Sequence, residues 1–217
     1  MTPPSPRSHR HAAPAVLAVL AALLLAGCVQ IGRERPELAV YAPRVAISVD
    51  PDWPRLALTL AIAEPQSSTA LDSPRIAVRP QPGRLQVYAG AAWSDRAPAL
   101  VQAALVDAFD QSGRFAAVTR PTGELGTDLR LDLDLRQFEA VYAEGADAPT
   151  ATLELQATLV DVRQGRVLAT RLLRIEEPAE RSRLTAVIPR FEAALSAAGQ
   201  ALVPWVLEKA AAEPSGT

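Results

Sequence analysis

The stretch that decides the fold is DLRLDLDLRQFEAVY, residues 128–142. Leucine occupies positions 129, 131, 133 and 135, and the positions between them hold arginine or aspartate. Because only a β-strand places every second side chain on one face, this pattern predicts a strand that buries the leucines and exposes the charges. The apolar positions then move to even numbers, at Phe138, Ala140 and Tyr142, which predicts a β-bulge near Gln137.

Two further segments continue this alternation. In TATLELQATLVDV, residues 150–162, apolar and polar positions again alternate, and VLATRLLRIEE, residues 167–177, follows a turn that contains Gly165. The expected buried face of the first segment consists of Leu153, Leu155, Ala157 and Leu159. Together with residues 128–142, these segments predict an antiparallel meander of three strands with one buried face.

Three shorter strands are predicted upstream. LALTLAIAE, residues 56–64, has its leucines at every second position. RIAVR, residues 75–79, is an apolar segment that we expect to end at Pro80. RLQVYAG, residues 84–90, follows a Pro82-Gly83 turn, and we therefore expect it to form a hairpin with residues 75–79.

A first amphipathic helix is predicted over residues 99–112, where apolar residues recur every three or four positions. Ser94-Asp95 offers an N-cap, and Pro98 suits the first turn. Gly113 is expected to form the left-handed C-cap, and a short strand should begin at Phe115.

A second helix is predicted over residues 189–211, where Pro204 should bend the helix or end its regular part. The resulting order, β-β-β-α-β-β-β-β-α, predicts a single α/β domain. We expect a mainly antiparallel mixed sheet of about six or seven strands, with two main helices packed on it. One solvated sheet face would require both helices on the other face, which gives two layers, or three if the helices split. The expected stripe of the second helix consists of Phe191, Leu195, Ala198, Leu202 and Trp205.

The N-terminus has the features of a secretory signal peptide. Arg7 and Arg10 precede an apolar run from Ala12 to Ala26, which is shorter than the roughly 20 residues that a membrane span requires. The run ends in Leu25, Ala26, Gly27 and Cys28, which resemble the bacterial lipobox. In that signal the cysteine thiol is diacylated, the chain is then cut before the cysteine, and the new N-terminus is acylated. The alternative is an ordinary signal peptide that happens to contain the chain's single cysteine.

These features predict four segments: a lipoprotein signal peptide (1–27), a lipidated tether (28–40), one domain (41–211) and a flexible tail (212–217). Val29 follows the cysteine, whereas an aspartate there would resemble an inner-membrane retention signal. We therefore expect the protein on the periplasmic face of the outer membrane, with the inner membrane less favoured.

The composition of the mature chain argues against most enzyme classes. Both histidines precede Cys28, so the mature chain has no histidine and, once Cys28 is lipidated, no free thiol. This excludes catalytic triads that use histidine and zinc sites ligated by histidine, and we predict no metal and no cofactor. Removal of the signal leaves 20 basic and 24 acidic residues without a basic stripe, which argues against nucleic acid as a partner. Asp132 and Asp134 could form a catalytic pair, but a solvated sheet face with paired charges is the favoured interpretation.

Several motifs, taken in order, resemble the ABC-type transport auxiliary lipoproteins of the paraquat-inducible protein C type. The similarity covers about residues 55–210, and Gln164 replaces the usual threonine of one motif. The motifs are RIAVR (75–79), YAGAAWSD (88–95), FDQSGRF (109–115), LDLDLRQFEAVY (131–142) and QGRVLA (164–169).

The resemblance implies a non-catalytic accessory role. Members work with an ATPase, a permease and a membrane-anchored MCE-domain protein that together move phospholipid or other hydrophobic molecules across the envelope. An MCE-domain protein is therefore the expected partner, beside the membrane itself through lipidated Cys28, and a homo-oligomeric ring is possible within the family.

The most family-like cluster is Tyr88, Gly90, Trp93 and Asp95. It could form a loop that contacts a partner, since aromatic residues often anchor interfaces. The favoured alternative is local: Gly90 permits a turn, Asp95 caps the helix and Trp93 covers the helix start.

Two other functions remain open at this point. One is a structural or assembly lipoprotein of a secretion or other envelope complex, which would share the lipobox and the lack of catalytic residues. The other is a lipoprotein hydrolase that uses carboxylates such as Asp132.

Replacing the predicted lipid attachment residue tests the anchor. We expect the unmodified protein to sediment with the outer membrane in a density gradient and Cys28→Ser to be lost from that fraction, because the acyl chains supply the outer-membrane anchor. Mass spectrometry of the N-terminal peptide checks the modification directly. Recovery of Cys28→Ser in the outer-membrane fraction would contradict the prediction.

Overall fold

The computed structural model of the chain describes residues 38–121 and 126–212. The predicted signal peptide and most of the predicted tether and tail lie outside these residues. The elements, in chain order, are β1 (Ala39–Tyr41), β2 (Leu56–Ile62), β3 (Gln66–Ser67), β4 (Arg75–Gln81), β5 (Arg84–Trp93), α1 (Ala97–Ser112), β6 (Phe115–Thr119), β7 (Leu129–Val141), β8 (Thr150–Asp161), β9 (Arg166–Pro178) and α2 (Leu184–Ala211).

Strand β7 confirms the predicted alternation. Its four leucines are at most 5% exposed, whereas the charged residues between them reach solvent. The pairing with β8 shifts by one residue between Leu135 and Gln137, which is the predicted bulge. After the bulge, Phe138 and Ala140 take over the buried face, with exposures of 1% and 0%.

Both edges of β7 are occupied along its length. One edge pairs antiparallel with β8 from Leu129 to Val141. The other edge receives three strands one after another, all parallel to it: β2 at its beginning, β3 in the middle and β4 at its end. The strand therefore joins every other part of the sheet.

The remaining strands extend the sheet outward from this centre. β9 pairs antiparallel with β8, and β4 and β5 form the predicted hairpin. β6 runs parallel to β2, and β1 runs parallel to β5. The α/β class and the mixed sheet are confirmed, but the described residues contain nine strands rather than six or seven. β1 and β3 are the additional ones, and β1 places the start of the sheet two residues before the predicted domain start.

Two helices cover the leucine face of the sheet. α2 packs on β8 and β9, while α1 packs on α2, β6 and β2. Trp93 and Phe138 of the sheet contact Phe191 of α2, with ring centroids 5.1 and 4.8 Å from that residue. The predicted stripe of α2 is buried, since its five residues are at most 8% exposed. The arrangement is the two-layer one.

Some predicted boundaries were wrong. The N-cap of α1 is Arg96, not Ser94 or Asp95, although Gly113 forms the expected left-handed C-cap with φ 58°. β4 continues through Pro80, which lies at an irregularity of the pairing with β5 and so interrupts no regular ladder. α2 begins five residues early, at Leu184, but it runs through Pro204 to the predicted end at Ala211, with buried residues on both sides of the proline.

Residues 42–55 cross the two helices without forming a helix or strand and include a turn at 51–53, and we call this segment the strap. Its Pro43, Val45 and Ile47 are half-buried, while the residues between them are exposed. Side chains of α2 at every fourth position accept hydrogen bonds from strap amides at every second position. The two spacings match, at about 6 Å along a helix and about 6.7 Å along an extended chain. The donor–acceptor pairs are Arg44 to Glu192 (3.3 Å), Ala46 to Ser196 (3.2 Å) and Ser48 to Gln200 (2.8 Å).

Gly199 lies where α1, α2 and the strap meet. A Cβ at this position would be 2.6 Å from Cβ of Ala108 and 3.2 Å from Cγ2 of Ile47. We expect Gly199→Ala to lower the free energy of unfolding by about 1–3 kcal/mol through overpacking, although alanine favours helix more than glycine does.

Urea unfolding of the mature domain measures this loss. Gly126→Ala is the matched control, because a Cβ at Gly126 would meet nothing within 4 Å. An unchanged or raised urea midpoint for Gly199→Ala would contradict this prediction, because the helices would then move apart without a loss of stability.

Candidate functional site

The lipobox residues Leu25, Ala26, Gly27 and Cys28 lie outside the described residues. The described chain begins at Leu38, ten residues after Cys28. Ten residues span at most about 36 Å when fully extended. If Cys28 carries lipid, the domain therefore stays close to the membrane surface.

Trp93, from the predicted partner-contacting cluster, is part of the core. It is 2% exposed, and its ring lies 5.4 Å from Phe138 and 5.1 Å from Phe191. This position joins β5 to β7 and α2, and its main role is packing. Trp93 does not reach the surface, where a partner would bind.

Tyr88 is half-buried on the same face of β5, and its hydroxyl has no hydrogen-bond partner among the described residues. Burial raises the pKa of Tyr88 well above its usual value, and the nearby Tyr142 adds to the shift. The side chain is thus a neutral phenol at physiological pH and cannot act as a base. Tyr142 also lines a cavity of about 480 Å³ between the β4–β5 turn and the loop after β7.

Gly90 and Asp95 are exposed, but they do not form one surface with the two aromatic residues. Gly90 has φ 69° and lies within the irregular part of the β4–β5 pairing, so it permits a bulge rather than a turn. Asp95 accepts a hydrogen bond from the backbone N–H of Arg96 at 2.7 Å and is not the helix cap. The four residues thus have separate structural settings.

Asp132 and Asp134 line a shallow concavity of about 390 Å³ on the open face of the sheet. Arg130 donates to both carboxylate oxygens of Asp132, at 2.7 and 3.0 Å, and this bonding raises the pKa of Arg130. Arg136 donates to Asp134 at 3.3 Å. Each carboxylate has its own guanidinium, which confirms the interpretation as a solvated face with paired charges.

A buried ion pair lies on the same face, at its junction with β4. Arg79 donates from Nε and Nη2 to the two carboxylate oxygens of Glu139, at 2.8 and 3.0 Å. The Glu139 side chain is only 2% exposed, and its bonding to Arg79 raises the pKa of that guanidinium. Sequence reasoning missed this pair because its members are 60 positions apart and only the pairing of β4 with β7 brings them together.

Within residues 38–121 and 126–212, no group of three or more histidine, cysteine, aspartate or glutamate residues could hold a metal ion. The helices described in these ranges include none that is long and apolar enough to cross a membrane.

These features define a small two-layer α/β domain with a charge-paired open face. The chain belongs to the family of the ABC-type transport auxiliary lipoprotein component, whose model matches residues 38–203. This confirms the resemblance that the motifs indicate.

Two relatives extend this assignment. The crystal structure of protein XCC0632 from Xanthomonas campestris is 39% identical, covers 80% of this chain and 97% of its own, and superposes with a TM-score of 0.75. The protein bll6063 of Bradyrhizobium diazoefficiens is 31% identical over 172 residues. That match covers 77% of this chain but 44% of bll6063, so the chain spans less than half the length of this relative.

The buried and the exposed ion pairs should differ in their effect on stability. Arg79→Ala leaves a buried carboxylate without its counter-ion, and we expect it to lower the free energy of unfolding by about 3 kcal/mol. Arg130→Ala breaks a pair whose side chains are 43% and 40% exposed, and we expect a loss of about 0–1 kcal/mol. Urea unfolding of both variants makes the comparison, and equal losses would contradict it.

Proposed function

We propose that the protein is an outer-membrane-anchored periplasmic lipoprotein and a non-catalytic accessory component of an MCE-type ABC system. The system would move phospholipid or other hydrophobic molecules across the envelope. The observation that carries the proposal is the family match over residues 38–203, which begins ten residues after the lipobox cysteine.

The anchor is the first part of the proposal. Cys28 would carry three acyl chains, and each buried CH₂ contributes about 0.8 kcal/mol, so release from the membrane would be negligible. The short segment between Cys28 and Leu38 would then hold the domain near the periplasmic surface of the membrane.

The accessory role is the second part. The carboxylates of Asp132 and Asp134 are engaged by arginines, so the open face lacks a free acid–base pair there. On the outer strands, Arg174 contacts Glu154 at 2.8 Å and Glu176 at 2.7 Å. A face that intersperses both signs of charge suits a protein partner, and it lacks the uniform basic field that attracts nucleic acid.

Affinity purification from the native envelope tests this proposal. A tagged full-length chain, solubilised in mild detergent, should recover an MCE-domain protein together with its permease and ATPase, as identified by mass spectrometry. Cys28→Ser should recover markedly less, because the unanchored domain is no longer concentrated at the membrane where the partner resides.

Two controls separate the alternatives. Asp132→Ala should recover the same partners and keep the function of the unmodified protein. A loss of function at normal stability would instead favour a hydrolase that uses carboxylates. Recovery of a secretin or another assembly machine, or of no partner, would overturn the transport role while leaving the lipid anchor in place.

A further inference from the structure

One end of the sheet exposes a group of large apolar side chains. Leu38 and Val40 are 58% and 59% exposed, at and just before β1, and Leu85 and Val87 on the adjacent β5 are 38% and 44% exposed. We call these four residues the β1–β5 patch. Isolated apolar residues on a surface need no explanation, but four on neighbouring strands form a group that does.

The strand register places the β1 part of the patch on the open face of the sheet. Tyr41 lies opposite Trp93, whose ring packs against Phe191 of α2, so both residues face the helices. Val40 lies opposite Ala92, and because side chains alternate along a strand, both point to the open face.

A separate set of strand pairings places the β5 part of the patch on the same face. Phe138 faces α2, so the next residue, Glu139, faces away from the helices. Glu139 pairs with Ala77 on β4, and Ala77 pairs with Val87 on β5. Val87 therefore points to the open face, and Leu85, two residues before it, does so as well.

The charged residues of β4 and β5 are all arginines, so the strands beside and within the patch are basic rather than acidic. Arg75 on β4 lies opposite Ala92, which places it on the same face as Val40, and it is exposed. Apolar side chains beside an arginine suit the boundary of an anionic bilayer, because the arginine reaches the headgroups while the apolar groups enter the acyl region.

The course of the chain indicates what covers the patch. The described domain begins at Leu38, directly before β1, so the chain that comes from Cys28 reaches the domain at this edge of the sheet. At most about 36 Å of chain separates the patch from Cys28. We propose that the β1–β5 patch rests on the surface of an anionic phospholipid bilayer and fixes the orientation of the domain on the membrane. This inference depends on the proposed lipidation of Cys28.

Single-thiol probes test the inference on the full-length lipidated protein. Cys28 is the only cysteine and would be blocked by lipid, so Val40→Cys or Val87→Cys each adds one reactive thiol. Leu172→Cys is the matched control, because Leu172 is also exposed, at 53%, but lies on β9. Each variant is labelled with a nitrobenzoxadiazole dye and reconstituted in vesicles of phosphatidylcholine and phosphatidylglycerol.

We expect the dye at Val40 and Val87 to shift its emission to the blue in vesicles and to be quenched by brominated lipids. The dye at Leu172 should keep the emission of a water-exposed group. Circular dichroism confirms that each labelled variant is folded, and flotation with the vesicles reports the anchor separately.

Three results would overturn the inference. If the protein floats but all three dyes emit as in water, the anchor stands and the patch does not touch lipid. If the patch dyes shift to the blue without quenching by brominated lipid, a second copy or another protein surface covers them. If the protein does not float, the lipid anchor fails and the inference fails with it.

Discussion

The rest of the structure depends on the alternation of leucine and charge along β7, because this strand is paired on both edges. A slip of one residue would turn Arg130, Asp132 and their neighbours into the core and would misplace four other strands at once. The bulge at Gln137 keeps the apolar face continuous where the sequence changes phase. Helices α1 and α2 then need only cover the face that β7 defines.

The periodic parts of the fold were predictable from the sequence, and the rest was not, for physical reasons. Residues 128–142 bury about every second side chain, and the buried stripe of α2 recurs every three or four positions, so the pattern itself identifies both. β1 and β3 are three and two residues long and are too short to show a period. The strap alternates, but its amides bond to helix side chains rather than to a strand, a pairing that no local pattern indicates.

The features of the candidate site also divide into those that the sequence predicts and those that it does not. The charge pairing of Asp132 and Asp134 was predictable, because each partner lies two positions away on the same face. Of the cluster that is close in sequence, Tyr88 and Trp93 face the helices, whereas Gly90 lies in the exposed bulge of β5 and Asp95 lies beyond the end of that strand. The pairing of Arg79 with Glu139 and the β1–β5 patch both depend on strand order, which composition and spacing do not determine.

If the lipid anchor proposed for Cys28 holds the chain at its N-terminus, the strap has a mechanical consequence. A pull from the membrane side loads the three-residue pairing of β1 first and the side-chain bonds of the strap next. Only after these yield does the force reach β2, which is paired on both edges. The few bonds of β1 and the strap therefore lie where the force enters the domain, and they must break before the inner sheet is loaded. Ser196 and Gln200 are only half-buried, but their hydrogen bonds to the Ala46 and Ser48 amides would carry this force, so neither residue is free to change.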